Sequence, residues 1–299
     1  PKNGQPLEMY DYKTRPLFAI CPLFPSTIVK SNFASSGRFR LATILNCSNV
    51  ESTISSLETI LGLDGQVIRE FVTSFDCEAY SKEHKDDYRH LRDILPELLR
   101  EHGASTTNPD VVCWFHGTRV LDPDTIRTYG LRSLHHQINQ IWDDLFHLAE
   151  TWVSKEAWQA FRVRVETTDA LESSIRLRNR LGNQCDSGPH AVLIRDSLVN
   201  PAQFDGVDYL SMPETIEDLC ESFSAQYGGD LLNRFQREGI PCIVQFHDQC
   251  RRDDLIGVAL SYLWCTIHDE PCLTCNACLE GDRNVIPAAA IVEVQQLDD

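Results

Sequence analysis

VVCWFHGTRVLDPDTIRTYGLRS, residues 111–133, decides the reading of this chain. Its first five residues are β-branched, aromatic or small and apolar, the make-up of a buried strand. Asp122 suits a helix N-cap, Pro123 the first helical position, and Asp124 complements the positive end of a helix dipole. Ile126 supplies an inward residue, and Gly130 permits the left-handed turn that stops the helix, with Leu131 folding back. The stretch predicts strand, tight turn, short helix and stop, and the turn carries His116, Gly117 and Thr118. Glycine there lets a ligand approach the backbone, and histidine offers a ring nitrogen to a hydroxyl. A histidine ending a strand is more often structural than functional, so this pattern alone assigns no chemistry.

Outward from this stretch the texture changes on both sides. Residues 1–15 are polar and aperiodic, as in a tail or extended arm, and PLFAICPLFPSTIV (16–29) has three prolines among apolar residues, which argues for irregular packing or an edge strand. NVESTISSLETILG (49–62) places Val50, Ile54, Leu57 and Leu61 on one helical face and stops at Gly62. QVIREFVTSF and YRHLRDILPELLREHG continue in helical style, with Gly103 as a cap and Pro96 as a kink or a new start. ASTTNPD (104–110) is a polar loop and the expected boundary of an N-terminal, mostly helical region, residues 1–108. A second helical block runs over about 135–182. After Gly188 come HAVLI, VDYLS, PCIVQF and AAIVEV, which read as short buried strands. The expected class is α+β, with residues 109–299 forming a mixed-sheet domain.

The 299 residues are 42 % hydrophobic and 24 % charged, ordinary for a soluble globular protein, and no apolar run approaches the roughly 20 residues that span a bilayer. A net charge of −17 argues against broad binding to phosphate backbones. The basic exception is RLRNRLG, with Arg176, Arg178 and Arg180, which reads most simply as a solvated helix face. The 12 cysteines are too many to ignore, yet a chain this long needs no disulfide framework, so a reducing cytoplasmic setting is expected.

Strand, His-Gly-Thr-Arg, an isoleucine and Gly-Leu about ten residues on resemble the first motif of ADP-ribosyltransferases of the diphtheria-toxin and poly(ADP-ribose) polymerase type. The resemblance implies that His116 binds the adenosine-side ribose of NAD and that the Gly117 backbone pairs with the nicotinamide amide, with Thr118 and Arg119 completing the motif. The family's second motif resembles VDYLSMPETIEDLCESFSAQY, with Tyr209 in a strand, Ser211 ending it, Pro213 opening a helix, and Phe223 or Tyr227 as a second aromatic at the nicotinamide. GIPCIVQF and NVIPAAAIVEVQQL resemble later strands of that fold. The family places a catalytic Glu near the last of these; here the nearest positions are Ala288, Ala289 and Ala290, and Glu293 lies inside the strand.

CTIHDEPCLTCNAC (265–278) brings Cys265, His268, Cys272, Cys275 and Cys278 within fourteen residues. Two consecutive C-x-x-C steps let adjacent thiolates grip one tetrahedral ion. Zinc held by Cys272, Cys275 and Cys278 with either Cys265 or His268 is the preferred assignment; an iron–sulfur cluster and free thiols are the alternatives. Such a metal would staple an insertion before the last strand.

Three functions compete. The resemblance implies an NAD-dependent ADP-ribosyltransferase acting on a macromolecule, with protein slightly favoured over nucleic acid. A second reading is an RNA 2′-phosphotransferase-like enzyme, which GLRSLHHQ with His135 and His136 resembles weakly. A third is a catalytically degenerate binding module stapled by zinc.

Overall fold

Caps set the helices of the N-terminal half. The structure, a computed structural model, describes residues 42–85, 89–182, 188–204, 206, 208–273, 275–279 and 285–298, so the segments 1–15 and 16–29 lie outside the described residues. After a two-residue strand β1 (Ile44–Leu45), Asn49 caps α1 (Val50–Leu61) by accepting from Ser52 N at 2.9 Å, and Gly62 closes it at φ 69°. Asp64 caps α2 (Gly65–Ser74) and Asp76 caps α3 (Cys77–Glu83). α4 (Leu91–Glu101) runs unbroken through Pro96, where a kink or restart was expected. Proline has no N–H for the carbonyl four residues back, that of Arg92. That carbonyl instead faces another helix, as described below.

β2 (Val111–Val120) is twice the predicted length, because all ten residues pair with the antiparallel strand β5 (Ile240–Gln249). His116, Gly117 and Thr118 therefore lie in the ladder and not in a turn, since the partner strand fixes their backbone. α5 (Asp124–Tyr129) starts one residue later than expected, and Asp122 Oδ1 accepts from Asp124 N at 2.9 Å. Gly130 stops it at φ 74° and leads into β3 (Leu131–Arg132). The predicted helical block appears as α6 (Leu134–Ala149), α7 (Lys155–Thr167) and α8 (Glu172–Gly182).

Then follow β4 (Ala191–Val192), α9 (Asp196–Val199), α10 (Glu214–Tyr227) and α11 (Leu231–Glu238), the last running directly into β5. Residues 209–211 form a turn in place of the strand expected at VDYLS; Ser211 N donates to Asp208 Oδ1 at 2.9 Å, and Val207 lies outside the described residues. α12 (Leu255–Ile267) precedes β6 (Cys278–Leu279), β7 (Val285–Ile286) and β8 (Ile291–Gln296), and Ala288–Ala290 make a single 3-10 turn before β8. The main sheet has the order β6-β4-β2-β5-β8 with β1 parallel to β2, and β3 and β7 form a small second sheet. The architecture is mixed helix and sheet, as the α+β expectation required. Among the described residues no helix is long and apolar enough to cross a membrane.

Alternation along β2 divides the interior. Val112, Trp114 and Val120 face a core built with α1, α2, α4 and α12, whereas Cys113 and Phe115 face a small cluster with Leu198 and Ile243. Residues before and after the loop 104–110 thus share one core, and residues 41–299 cluster as one compact unit. Helices α6, α7, α8, α10 and α11 hold a separate core around Trp142, Trp158, Phe161 and Phe223.

Candidate functional site

His116 is half-buried in the middle of β2, and its Nδ1 lies 2.5 Å from the carbonyl oxygen of His190, just before β4. A carbonyl only accepts, so Nδ1 carries the proton and Nε2 is left as an acceptor. Burial lowers the pKa of the ring from 6.5, outweighing the His190 hydrogen bond, so the imidazole is neutral at pH 7. On the edge of β2 away from β5, β1 pairs with Val111 and Val112, and β4 pairs with Phe115. Past Phe115 no strand pairs with that edge among the described residues. His116 and Gly117 therefore sit where the sheet splits. Gly117 packs closely: a Cβ there would lie 3.0 Å from Leu198 Cδ2. Thr118, half-buried, alternates to the same face as His116.

Arg119 turns inward. It is 8 % exposed, and its guanidinium donates to the carbonyls of Leu210 (3.0 Å), Gln236 (2.5 Å) and Gly239 (2.8 Å). It is a main-chain clamp and not the cofactor contact expected from its place in the motif. The clamp also brings the turn carrying Tyr209 beside β2. Tyr209 is half-buried, and burial first, then the charges of Glu214 and Cys278, raise its pKa above 10.

The structure separates the other expected residues from His116. Phe223 is fully buried with its ring 5.1 Å from Tyr227, 5.7 Å from Trp158 and 5.9 Å from Phe161. Tyr227 OH donates to Ala157 O at 3.2 Å. Both aromatics pack in the helical core, Phe223 within it and the half-buried Tyr227 against it. Glu293 is exposed on β8 and pairs with Gln245, which pairs with Phe115. Register thus puts Glu293 on the face opposite His116. His135 and His136 are exposed on α6, with His136 Nδ1 2.8 Å from Ser133 Oγ. Arg176 and Arg180 both pair with the buried Asp218, and Arg178 donates to the carbonyls of Val165 and Asp169. The basic stretch is engaged internally.

Sequence reasoning missed His190 and Leu198, the immediate neighbours of His116 and Gly117. Their signal is purely tertiary: His190 is 74 positions from its partner.

A second cluster lies at the end of α12. The sulfur atoms of Cys265, Cys272 and Cys275, all buried, lie within 4.8 Å of one another and could hold a metal ion. Cys272 and Cys275 are joined to each other, with Cα atoms 5.3 Å apart, and Cys272 N donates to Gln203 O at 3.0 Å. Burial raises the Cys265 thiol to about 11. Cys278, expected as a ligand, is exposed on β6 and stands outside this group. His268 is also elsewhere: its Nε2 donates to Val72 O at 3.1 Å and its ring stacks on Trp264 at 4.8 Å.

No family model, curated protein or solved structure matches the chain.

Proposed function

We propose that the chain binds NAD at the split edge of β2 and transfers its ADP-ribose to a macromolecular acceptor, in the manner of the ADP-ribosyltransferases its motifs resemble. One observation carries this reading: a neutral His116, with Nδ1 fixed on His190 O, offers an Nε2 acceptor where β2 loses its neighbouring strand. A ribose hydroxyl donates to such a nitrogen, and an unpaired strand edge offers N–H and C=O groups to a carboxamide. The bond between the ribose carbon and nicotinamide breaks, nicotinamide departs with the bonding pair, and an acceptor atom bonds to that carbon and loses its proton. Tyr209, tethered beside β2 by Arg119, supplies the flat aromatic face. Resemblance gains further support from Gly130-Leu131 and Ile286-Pro287, two segments it singled out, which pack together as β3 and β7. The cysteine cluster is read as a structural zinc site, because buried sulfur donors favour that ion.

A specific observation favours a second reading, a non-catalytic NAD-binding module: Glu293 does not share the face of His116. Incubation with NAD labelled on the adenosine side, together with a lysate, separates the two. The expected result is labelled macromolecule and free nicotinamide, both reduced about 10²-fold in His116→Ala by misplacement of the ribose, with the thermal melt unchanged. Tyr209→Ala should weaken NAD far more than Tyr209→Phe. NAD binding without turnover in the wild type would establish the module, and no NAD binding at all would sink both readings.

A further inference from the structure

We infer that Asn276 is a positioning residue for the NAD site: its side-chain amide holds the chain between His190 and Leu198 in the shape that brings those two residues to His116 and Gly117. This rests on reading His116 and Gly117 as NAD contacts. Both neighbours of the site come from one short stretch. His190 O fixes the ring of His116 at its start, and Leu198 packs against Gly117 at its end. Between them the chain runs through the two-residue β4 and bends into the four-residue α9. Neither element is long enough to hold its own direction, so the bend needs support from outside.

Asn276 supplies it with both ends of its amide. Its Oδ1 accepts from Ile194 N at 3.2 Å, and its Nδ2 donates to Ser197 Oγ at 2.8 Å. Ser197 Oγ gives its own proton to Ile194 O at 2.7 Å, so toward Asn276 it only accepts. A backbone N–H only donates, which leaves the amide one orientation. Ile194 is fully buried, so its N–H has no solvent to replace Asn276.

Asn276 is itself anchored on both sides. Cys275 before it is buried in the sulfur cluster. After it, Ala277 O accepts from Leu193 N at 2.8 Å, and Cys278 and Leu279 pair with Val192 and Ala191. β4 lies between β2 and β6, so the cysteine-bearing segment backs the strand that carries His190 to β2.

The test uses the full chain with isotope-labelled histidine and reads the His116 ring nitrogens by NMR, beside NAD affinity and the thermal melt. The His116 signals are those absent from His116→Ala. The wild-type ring should show one tautomer, with the proton on Nδ1. Asn276→Leu keeps the volume but strips both bonds. It should show a mixture of tautomers and bind NAD about tenfold more weakly, because only a fraction of molecules then offers a bare Nε2. Asn276→Asp, which keeps the acceptor for Ile194 N, should restore the single tautomer and most of the affinity. Ser197→Ala should move both readings the same way as Asn276→Leu, and serves if that variant does not fold. In Gly257→Ala the added Cβ meets the Arg92 carbonyl, so the melt should fall while the His116 signals stay unchanged. An unchanged ring, or unchanged NAD affinity, in both Asn276→Leu and Ser197→Ala would remove Asn276 from the site while leaving the NAD reading intact. The same mixture in Gly257→Ala would reduce Asn276 to a general structural role. Failure of the wild type to bind NAD would overturn the reading of the site and this inference with it.

Discussion

Arg119 and Gly130 stand eleven positions apart and carry the two most constrained contacts of the opening motif. A Cβ on Gly130, at φ 74°, would lie 2.0 Å from Ile286 O and 2.8 Å from Ala288 N, so backbone itself blocks it. Gly62 shares the positive φ, 69°, but is left-handed at ψ 25° where Gly130 is extended at ψ −168°, and nothing lies within 4 Å of the added carbon. Gly62→Ala should cost about 1–2 kcal/mol from backbone strain alone, and Gly130→Ala about 3 kcal/mol or more, as read by denaturant midpoints. Equal losses would show that the Ile286 contact relaxes freely. Gly130 was legible because its demand is local, a positive φ at the stop of a short helix. Arg119 was not, because its three carbonyl partners lie 91, 117 and 120 positions away. The same division holds at the candidate site. His116 and Gly117 stood out by residue type and spacing, while the neutral, pinned state of the ring comes from a carbonyl that no local pattern reveals. Phe223 and Tyr227 meet the matching limit, since an aromatic on a helix looks the same in sequence whether it lines a ligand or a core.

Gly257 and the Arg92 carbonyl make the clearest contact between elements. A Cβ at Gly257 would lie 1.9 Å from the Arg92 carbonyl, the same carbonyl that Pro96 cannot bond within α4. The helices α4 and α12 therefore approach to backbone distance at a point where one has a bare acceptor and the other no side chain. Gly257→Ala should lose about 2–4 kcal/mol by forcing the helices apart. Gly182→Ala, with nothing within 4 Å at the end of α8, should instead gain up to about 1 kcal/mol. Thermal melts of the two variants should move in opposite directions; a neutral Gly257→Ala would refute the close approach. Amphipathic elements such as α1 were legible because one face is wet. α12 carries no such signal: ten of its thirteen residues are buried, and an element apolar on all sides has no period to read. Two-residue strands such as β1 and β6 are too short for alternation to show, and they exist only because a neighbour pairs with them.

The described residues form two large cores. One lies between the sheet and the helices α1, α2, α4 and α12, and the other lies within α6, α7, α8, α10 and α11. Among the links between them are the Arg119 clamp, which reaches two carbonyls at the end of α11, the direct passage of α11 into β5, and that of β3 through Ser133 into α6. Amides of the helical core should exchange with solvent as one group, at a lower opening free energy than those of β2 and β5. Arg119→Met, which keeps volume but strips three carbonyls of their donor, should lower that opening energy by about 3 kcal/mol or more. Hydrogen exchange under native conditions reads both, and uniform protection across the two cores would show a single cooperative unit. The placement of α12 has one more consequence, and it concerns birth on the ribosome. α1, α2 and α4 turn their apolar faces to a helix encoded more than 150 positions after α4 ends. At about 5–20 residues per second, those faces stay without their partner for roughly 10–30 seconds of synthesis. During that interval the nascent chain is a natural client for chaperones that shield apolar surface, until the emergence of α12 makes them unnecessary.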